Sequence, residues 1–397
     1  MVLWFSKWIA IGITRCKCEA GGHKLIDMVS HDNLKRLTVV IPSYGRREFL
    51  KRQISYWNGS LVQVLILDGS DVSAYDLQFP QNFRYVHSRE GFLQRLLSAT
   101  EMVDTEFVAL LPDDEFFLES GLVDAIDYMD SNDQAIGCVG RCLYFFVDQG
   151  RFLLSHAYRD WRPFPPAPIS MADRLDLDLP PNKTHMAMYG IYRRNHWITM
   201  IRGAYSVPFS CGYVYERLLN FQRSVLGRTE IIDSLLWMRS KENPPVTNSE
   251  FPRVKGRDFV SWATSAEFAV EVSRYREVAR NILVRAGVNI KDIDLYVNRF
   301  VDGGVARQQS KEERARKSLR RKIGKKLLKL APKRFRLLCK RHVPAQFLKF
   351  VGWEGHELPN VVCDLRSLGT RFDEAELRRI AELSLTTYGQ IEVVRGI

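Results

Sequence analysis

The sequence lacks the features that mark membrane-spanning and secreted proteins. No apolar run reaches the roughly 18 residues that a membrane-spanning helix requires. Residues 1–13 are largely apolar but are interrupted by Lys7, so we expect a short interfacial anchor or an unstructured start rather than a signal peptide. The seven cysteines are odd in number and scattered. They predict neither a disulfide framework nor a zinc site, which favours reduced cysteines and a cytoplasmic location.

The common nucleotide-binding signatures are also missing. Neither a GxGxxG sequence nor a P-loop follows the first predicted strand, which removes the main support for a dinucleotide-binding or P-loop enzyme. The eight histidines show no spacing typical of metal ligands. We keep His185 and Arg193 as candidate site residues.

Positive charge is confined to one segment. The net charge is +12, yet residues 307–341 alone hold 16 Lys or Arg against two glutamates, so the rest of the chain is close to neutral. This distribution indicates a basic appendage with its own partner on a near-neutral body. A general nucleic-acid-binding surface is therefore disfavoured.

Strand and helix patterns alternate in the first third of the chain. Residues 37–42, 62–67, 83–87 and 107–112 are β-branched or apolar runs that predict strands, and residues 46–57 and 91–102 show helical spacing. Such alternation is typical of β-α-β units around a parallel sheet. The later segments predict a hairpin over 135–158, a helix capped by Ser170 and Asp173, a helix over 213–226, a strand over 229–237 and a long helix over 259–286.

Chemically distinctive loops follow three of these strands, at residues 43–46, 68–71 and 113–115. Because parallel strands bring their C-terminal ends to one edge, these loops are expected to form one site. Tyr44, Arg46 and Arg47 suit an aromatic base or phosphate oxygens. Asp68 can accept hydrogen bonds from a nucleoside, and the acids at 113–115 suit Mg²⁺ or Mn²⁺ bound with substrate phosphates. Each loop also has a simpler interpretation. The first would be a solvated helix start, the second an Asp-Gly turn and the third a solvated acidic turn.

These three motifs resemble, in order and spacing, the landmarks of family 2 glycosyltransferases of the GT-A type. The similarity covers roughly residues 37–245, and within the family it points to a bacterial subgroup with a Pro-Asp-Asp-Glu metal motif. It implies an α/β fold, in which a Rossmann-like, mixed and mainly parallel sheet is flanked by helices, with a helical C-terminal extension. It also implies metal-dependent, inverting transfer of a sugar from a nucleoside-diphosphate sugar to an acceptor hydroxyl. The residues carried over as donor-binding are Pro42, Ser43, Tyr44, Arg46, Asp68, Gly69 and Asp113; those carried over as metal ligands are Asp114 and Glu115.

The sequence departs from the family pattern at two points. Leu67 stands where a second acid is usual before Asp68, and the metal motif holds three acids, among which the resemblance favours Asp114. By resemblance the catalytic base lies about eleven residues before Gly227, which indicates Glu216. Asp233 is the rival for that role. The simpler interpretation of Glu216 is a surface acid paired with Arg217 or Asn220.

The predicted organisation has four parts: an N-terminal extension (1–36), the glycosyltransferase domain (37–300), a basic segment (301–350) and a small α/β tail (351–397). Within the tail, residues 361–394 predict a strand, a helix and a strand. Four apolar residues recur at helical spacing within the basic segment, at Leu319, Ile323, Leu327 and Leu330, with Lys and Arg around them. A basic amphipathic helix indicates binding to an anionic membrane through residues 306–350. This predicts a peripheral protein on the inner face of the membrane that builds an envelope polysaccharide or a lipid-linked glycan. Docking of the leucines on the protein body, and RNA binding, are the alternatives for this helix.

Two other functions stay open at this point. A metal-dependent nucleotidyltransferase would share the sheet and the acids, but it usually has a Gly-rich loop where this chain has Ser43–Arg46. A non-catalytic, glycosyltransferase-like module at a membrane surface would not need its acids to be intact. The proline-rich residues 160–168 predict a lid or an acceptor-facing loop.

Overall fold

The computed structural model describes residues 31–157, 170–178, 187–241, 256–317 and 355–394. Residues from Asp32 onward form one compact unit. The strands of the described residues are β1 (Leu37–Ser43), β2 (Gln63–Asp68), β3 (Phe83–His87), β4 (Phe107–Leu110), β5 (Phe116–Phe117), β6 (Ala135–Asp148), β7 (Arg151–Ala157), β8 (Ile191–Arg193), β9 (Arg228–Ser240) and β10 (His356–Glu357). The α-helices are α1 (Arg47–Trp57), α2 (Phe92–Ala99), α3 (Glu119–Asp130), α4 (Met171–Asp178), α5 (Arg194–Tyr205), α6 (Gly212–Leu226), α7 (Phe259–Ala263), α8 (Phe268–Arg285), α9 (Ile290–Val297), α10 (Gly303–Lys317), α11 (Leu358–Ser367) and α12 (Glu374–Val394).

One mixed sheet contains all of these strands. Its main path runs β10-β7-β6-β8-β4-β1-β2-β3. β4, β1, β2 and β3 are parallel neighbours, β8, β6 and β7 join antiparallel, and β9 runs parallel to β6 while pairing with β5. Parallel pairing accounts for most of the paired residues, so the predicted mixed, mainly parallel α/β sheet flanked by helices is confirmed.

The continuous apolar strands are buried because helices cover both faces of the sheet. Alternate residues of β1 enter different cores: Val39 and Ile41 pack with α1, α3, α11 and α12, whereas Val40 packs with α2, α5, α6 and α8. A strand buried on both sides needs apolar residues at successive positions rather than at alternate ones. This explains why β1, β2 and β4 were recognisable in the sequence.

Several local predictions are confirmed. β6 and β7 form the expected hairpin, closed by Gln149 and Gly150, which both have positive φ. Ser170 and Asp173 form a reciprocal capping box at the start of α4. The long helix expected over 259–286 is instead two helices, α7 and α8. The side chain of Asp258 caps the first of them through the amide of Ser261 at 2.8 Å.

The strand–helix–strand order expected over residues 361–394 is wrong, because this stretch forms the two helices α11 and α12. Val361, Val362 and Leu365 share one buried helical face of α11, and Leu377, Ile380 and Ala381 share one of α12. The strand that does occur is the two-residue β10, which pairs with β7. The four-part division of the chain stays a prediction.

Some predictions lie outside the described residues. These are the amphipathic part of the basic segment from Leu319, the loop at 160–168 and His185. α10 covers the beginning of the basic segment. Within the described ranges no helix is both long enough and apolar enough to cross a membrane.

Candidate functional site

The three predicted loops meet at the C-terminal edge of the parallel strands. Ser43, the last residue of β1, is in register with Asp68, the last residue of β2. The Ser43 hydroxyl donates to Oδ2 of Asp113 at 2.7 Å, which joins the first loop to the third. The amide of Gly45 donates to the hydroxyl of Ser70 at 2.8 Å, which joins the first loop to the second. The parallel register therefore builds a single connected site from residues that are up to 70 positions apart.

Asp68 is buried and held from both sides. Its Oδ1 accepts from the amide of Ser70 at 2.9 Å and from the Ser70 hydroxyl, and its Oδ2 accepts from the hydroxyl of Tyr85 at 2.6 Å. Burial and this bond raise the pKa of Tyr85, so the phenol stays protonated and remains a donor. The carboxylate is thus fixed in orientation at the bottom of the second loop.

Gly69 lies against the guanidinium of Arg95. A Cβ at this position would lie 1.9 Å from Nη1 of Arg95. Arg95 is buried on α2 and donates to the carbonyl of Glu90 at 2.6 Å and to that of Ser43 at 3.3 Å. Nothing in the sequence around Arg95 predicts this contact between α2 and the second loop.

Arg46 supplies positive charge to the acidic turn, whereas Arg47 does not. Nη1 of Arg46 lies 3.0 Å from Oδ1 of Asp113 and 3.4 Å from Oδ2 of Asp114. Arg47 pairs instead with Asp76 at the surface. Tyr44 is half-buried and Pro42 is buried in the same loop. The first loop therefore brings one guanidinium to the carboxylates.

The three acids of residues 113–115 have different partners. Asp113 is fully buried between Ser43 and Arg46, and burial raises its pKa although Arg46 opposes the shift. Oε2 of Glu115 accepts from the indole of Trp237 at 2.6 Å, and its Oε1 lies 3.9 Å from Nε of Arg239. Burial also raises the pKa of Glu115. The three carboxylates do not converge on one point.

The three carboxylates fit a metal ion held mainly by substrate phosphates better than one held by protein side chains alone. Among the described residues no group of three His, Cys, Asp or Glu side chains is placed to hold a metal ion. The carboxylate of Asp114 can still provide oxygen ligands to a cation whose other ligands are substrate phosphates and water, which is a common way of binding Mg²⁺. The partners of Asp113 and Glu115 suit the support of that turn more than direct ligation.

Glu216 is the exposed residue of an otherwise buried or half-buried helix, α6. Arg217 next to it is buried, with its guanidinium 4.5 Å from the ring centroid of Phe300, which fixes the rotation of the helix. Glu216 is therefore exposed, yet desolvation by the surrounding protein raises its pKa, opposed by the charges of Arg239 and Arg217. Asn220 bonds to the backbone carbonyl of Glu216 at 2.9 Å rather than to its carboxylate.

Arg239 and Tyr189 connect Glu216 to the acidic turn. The charge of Arg239 acts on both Glu115 and Glu216. Tyr189 stacks on Trp237 with ring centroids 4.8 Å apart, and the charges of Glu115, Glu216 and Asp114 all raise its pKa beyond the effect of burial. The exposed Glu216 and the acidic turn therefore both lie near Arg239 and Tyr189, and we call the surface that these residues share the cleft.

The remaining candidates lie elsewhere. Asp233 is exposed and pairs with Arg141, with Nε of the arginine 3.0 Å from its Oδ1. Arg193 donates to the carbonyls of Ala135 and Met129 at 3.0 and 2.8 Å, which is a structural role at β8. Residues that contact the candidate site and that the sequence did not reveal are Arg52, Gln53, Tyr85, Arg95, Tyr189, Trp237 and Arg239.

No model of a known protein family matches the chain, and no curated protein matches it by sequence. Among solved structures, it is similar to S. aureus TarS residues 1–349 crystallised with UDP-GlcNAc, at 14% identity and a TM-score of 0.40 over 67% of this chain and 71% of that one. The same protein crystallised with UDP gives 14% identity and a TM-score of 0.35, over 66% of this chain and 78% of that one. A longer TarS structure gives 14% identity and a TM-score of 0.35, and 43% of that chain is covered. These identities and TM-scores are too low to assign the activity of TarS to this chain.

Proposed function

We propose that the protein is a glycosyltransferase that moves a sugar from a nucleoside-diphosphate sugar to an acceptor hydroxyl with inversion. One observation carries this proposal: three loops at the edge of parallel strands are bonded to one another, and an exposed glutamate lies near the same Arg239 and Tyr189 as their buried acidic turn. Ligands of open α/β sheets bind at this edge. The residue types in the three loops, and the order of the loops in the chain, match the motifs of family 2 glycosyltransferases.

Glu216 is proposed as the general base. In a single displacement, the acceptor oxygen bonds to the anomeric carbon, the bond from that carbon to the diphosphate breaks, and the hydroxyl proton passes to the carboxylate. A base with a raised pKa holds this proton more readily than an ordinary glutamate does, which strengthens general-base catalysis near neutral pH. Its exposure in the cleft leaves room for an acceptor.

Donor binding is proposed for the three loops. Asp68 and Tyr44 suit the nucleoside, and Arg46 suits the diphosphate, whose negative charge can replace part of its pairing with Asp113 and Asp114. Asp114 is the residue that would hold Mg²⁺ or Mn²⁺. When bound, such an ion would neutralise charge on the departing diphosphate.

The binding half of the proposal is tested by thermal unfolding with a panel of UDP-, GDP-, dTDP- and CDP-sugars, each with Mn²⁺, Mg²⁺ or EDTA. We expect one nucleotide class to raise the unfolding temperature, because a ligand at about 100 times its Kd stabilises a protein by roughly 2.7 kcal/mol. Asp114→Asn should lose this shift. Asp133→Asn serves as the matched control, since the Asp133 side chain is 93% exposed and lies outside the cleft. A panel in which no sugar nucleotide stabilises the wild type would contradict the proposal.

The acceptor is proposed to be an envelope glycan or a lipid-linked glycan. The support is the basic segment of the sequence, 16 Lys or Arg within residues 307–341, which suits an anionic surface. Peripheral attachment to the inner face of the membrane follows from the same feature. Binding of the protein to anionic vesicles tests this attachment separately from sugar transfer.

A further inference from the structure

We propose that Arg52 and Gln53 of helix α1 are positioning residues for the acidic turn, and that they set the orientation of the carboxylates of residues 113–115 by holding the backbone of that turn. This inference rests on the proposed function for its catalytic consequence. The contact itself is independent of that function.

Two adjacent side chains bind three consecutive carbonyl groups. Nε2 of Gln53 donates to the carbonyl of Asp113 at 3.0 Å and to that of Glu115 at 2.7 Å. Nη2 of Arg52 donates to the carbonyl of Asp114 between them, at 2.7 Å. Because each peptide unit is planar, fixing three successive carbonyls fixes the directions in which the intervening side chains leave the backbone.

The donors are themselves held rigidly. Gln53 is fully buried, and its Oε1 accepts from the indole of Trp57 at 2.9 Å, so its amide nitrogen has to face the turn. Arg52 is 2% exposed, and its guanidinium lies 4.6 Å from the ring centroid of Phe49 and 4.9 Å from that of Phe116. A rigid second layer of this kind is what holds functional groups in a productive geometry.

The position of Arg52 adds an electrostatic effect. A buried guanidinium bonded to the carbonyl of Asp114 places positive charge beside a turn that holds three carboxyl groups in sequence. Arg46 supplies charge to Asp113 and Asp114 from the side-chain direction. Arg52 places positive charge next to the backbone of the turn, so the turn lies between two guanidinium groups.

The simpler interpretation is that these bonds only satisfy buried carbonyls and stabilise the fold. Tyr56 provides the matched control. It lies one turn further along α1, is fully buried, and donates to the carbonyl of Phe117 at 2.6 Å, just beyond the acidic turn. Both residues contribute to stability, but only Gln53 contacts the carbonyls of the acids.

The experiment compares Gln53→Met with Tyr56→Phe by steady-state kinetics of sugar transfer or donor hydrolysis, using the sugar nucleotide that stabilises the wild type most. We expect both variants to unfold at lower temperature. Gln53→Met should lower kcat/KM by about 10²-fold, since a displacement near 1 Å at reacting groups costs about that much. Tyr56→Phe should stay within about threefold of wild type. Equal losses in the two folded variants would overturn the proposal.

A second measurement does not depend on catalysis. Hydrogen–deuterium exchange of the peptide covering residues 113–118 should be faster in Gln53→Met than in wild type, with other peptides of the sheet unchanged. If Gln53→Met does not fold, Arg52→Lys tests the same contact at Asp114, because it keeps the charge and loses the planar group stacked on the rings. Unchanged exchange at 113–118 would overturn the proposal even if the wild type proved to bind no sugar nucleotide, so the failure of either proposal can be recognised.

Discussion

At the scale of single residues, the cleft depends on a few side chains whose surroundings change their chemistry. Asp113, Glu115 and Glu216 all have raised pKa values, in each case mainly because the surrounding protein desolvates the carboxylate. They differ in what faces them. Asp113 and Glu115 are tied to protein partners, whereas Glu216 faces solvent in the cleft. The same type of side chain therefore has a supporting role at two positions and is free to meet an acceptor at the third.

Substituting Glu216 by glutamine should remove the base without disturbing the donor. We expect kcat for transfer to fall by about 10²–10⁴-fold, the usual contribution of general-base catalysis, with the donor Kd unchanged. Kinetics and calorimetry on the same preparation measure the two quantities. Glu277→Gln, at an exposed glutamate of α8, is the control and should behave as wild type. Unaltered turnover in Glu216→Gln would exclude this residue from the mechanism.

The pH dependence of kcat/KM should change when the positive charge of Arg239 is removed. A base has to be ionised, so kcat/KM should fall as the pH drops through the pKa of Glu216, at a higher pH than for an ordinary glutamate. Arg239 favours the ionised form. Its loss in Arg239→Gln should therefore move the acidic limb of the profile to still higher pH, and Arg239→Lys should restore much of it. A limb that stays in place in Arg239→Gln would show that Arg239 does not act on the base.

Gly69 should tolerate no side chain. In Gly69→Ala the new methyl group would meet the guanidinium of Arg95, which would have to leave the carbonyls of Glu90 and Ser43. We expect a loss of about 1–3 kcal/mol in the free energy of unfolding, typical of overpacking, measured by urea denaturation. Gly303→Ala is the control, because no atom lies within 4 Å of its added Cβ. Equal stability of the two variants would contradict the argument.

At the scale of secondary-structure elements, helix α12 supports the helix that follows the acidic turn. Glu376 of α12 accepts from the hydroxyl of Ser120 at 3.0 Å and from the amide of Glu119 at the start of α3, and its Oε1 lies 2.7 Å from the hydroxyl oxygen of Tyr56. A carboxylate at a helix N-terminus satisfies amides that lack partners within the helix. A residue from the end of the chain thereby anchors α3 and α1 together.

This contact predicts a pH-dependent stability. Burial raises the pKa of Glu376 from 4.5 to about 7, so the folded protein binds a proton that the unfolded chain releases between these values. Stability should therefore fall as pH rises from about 4.5 to 7 and level off above, by up to roughly 3 kcal/mol from this group. Urea denaturation at pH 5 and pH 8 should show a smaller difference in Glu376→Gln than in wild type. An identical difference would show that Glu376 is not the titrating group.

At the scale of the whole molecule, we propose that the basic segment binds an anionic membrane while the loops at the edge of the sheet bind the donor. We expect the full chain to co-sediment with vesicles containing phosphatidylglycerol and not with phosphatidylcholine vesicles, because each cation near an anionic surface adds about 1 kcal/mol. The triple variant Lys325→Glu, Lys326→Glu, Lys329→Glu should lose this binding and keep the donor-induced thermal shift. Binding that does not depend on anionic lipid would exclude the membrane as the partner of the segment.

The sequence by itself determined the parallel half of the sheet and the identity of its three loops. Strands buried on both faces need uninterrupted apolar residues, and their ends are marked by polar ones, so β1, β2 and β4 and the loops after them could be recognised without coordinates. The strand β3, which was also predicted, is only partly buried. The position of Glu216 came from the family resemblance, and the structure adds its exposure on a buried helix. Helices α11 and α12 were missed because apolar residues of this density fit a strand as well as a short buried helix.

Only the tertiary structure decided which side chains support the cleft. Arg52 and Gln53 reach the acidic turn across about 60 residues, Trp237 reaches Glu115 across 122, and Glu376 reaches α3 across more than 250. No local pattern encodes such pairs, because a buried arginine or glutamine in an amphipathic helix has the same neighbours in sequence as an exposed one. Burial makes these contacts strong, since a polar group removed from water has to find its partner within the protein.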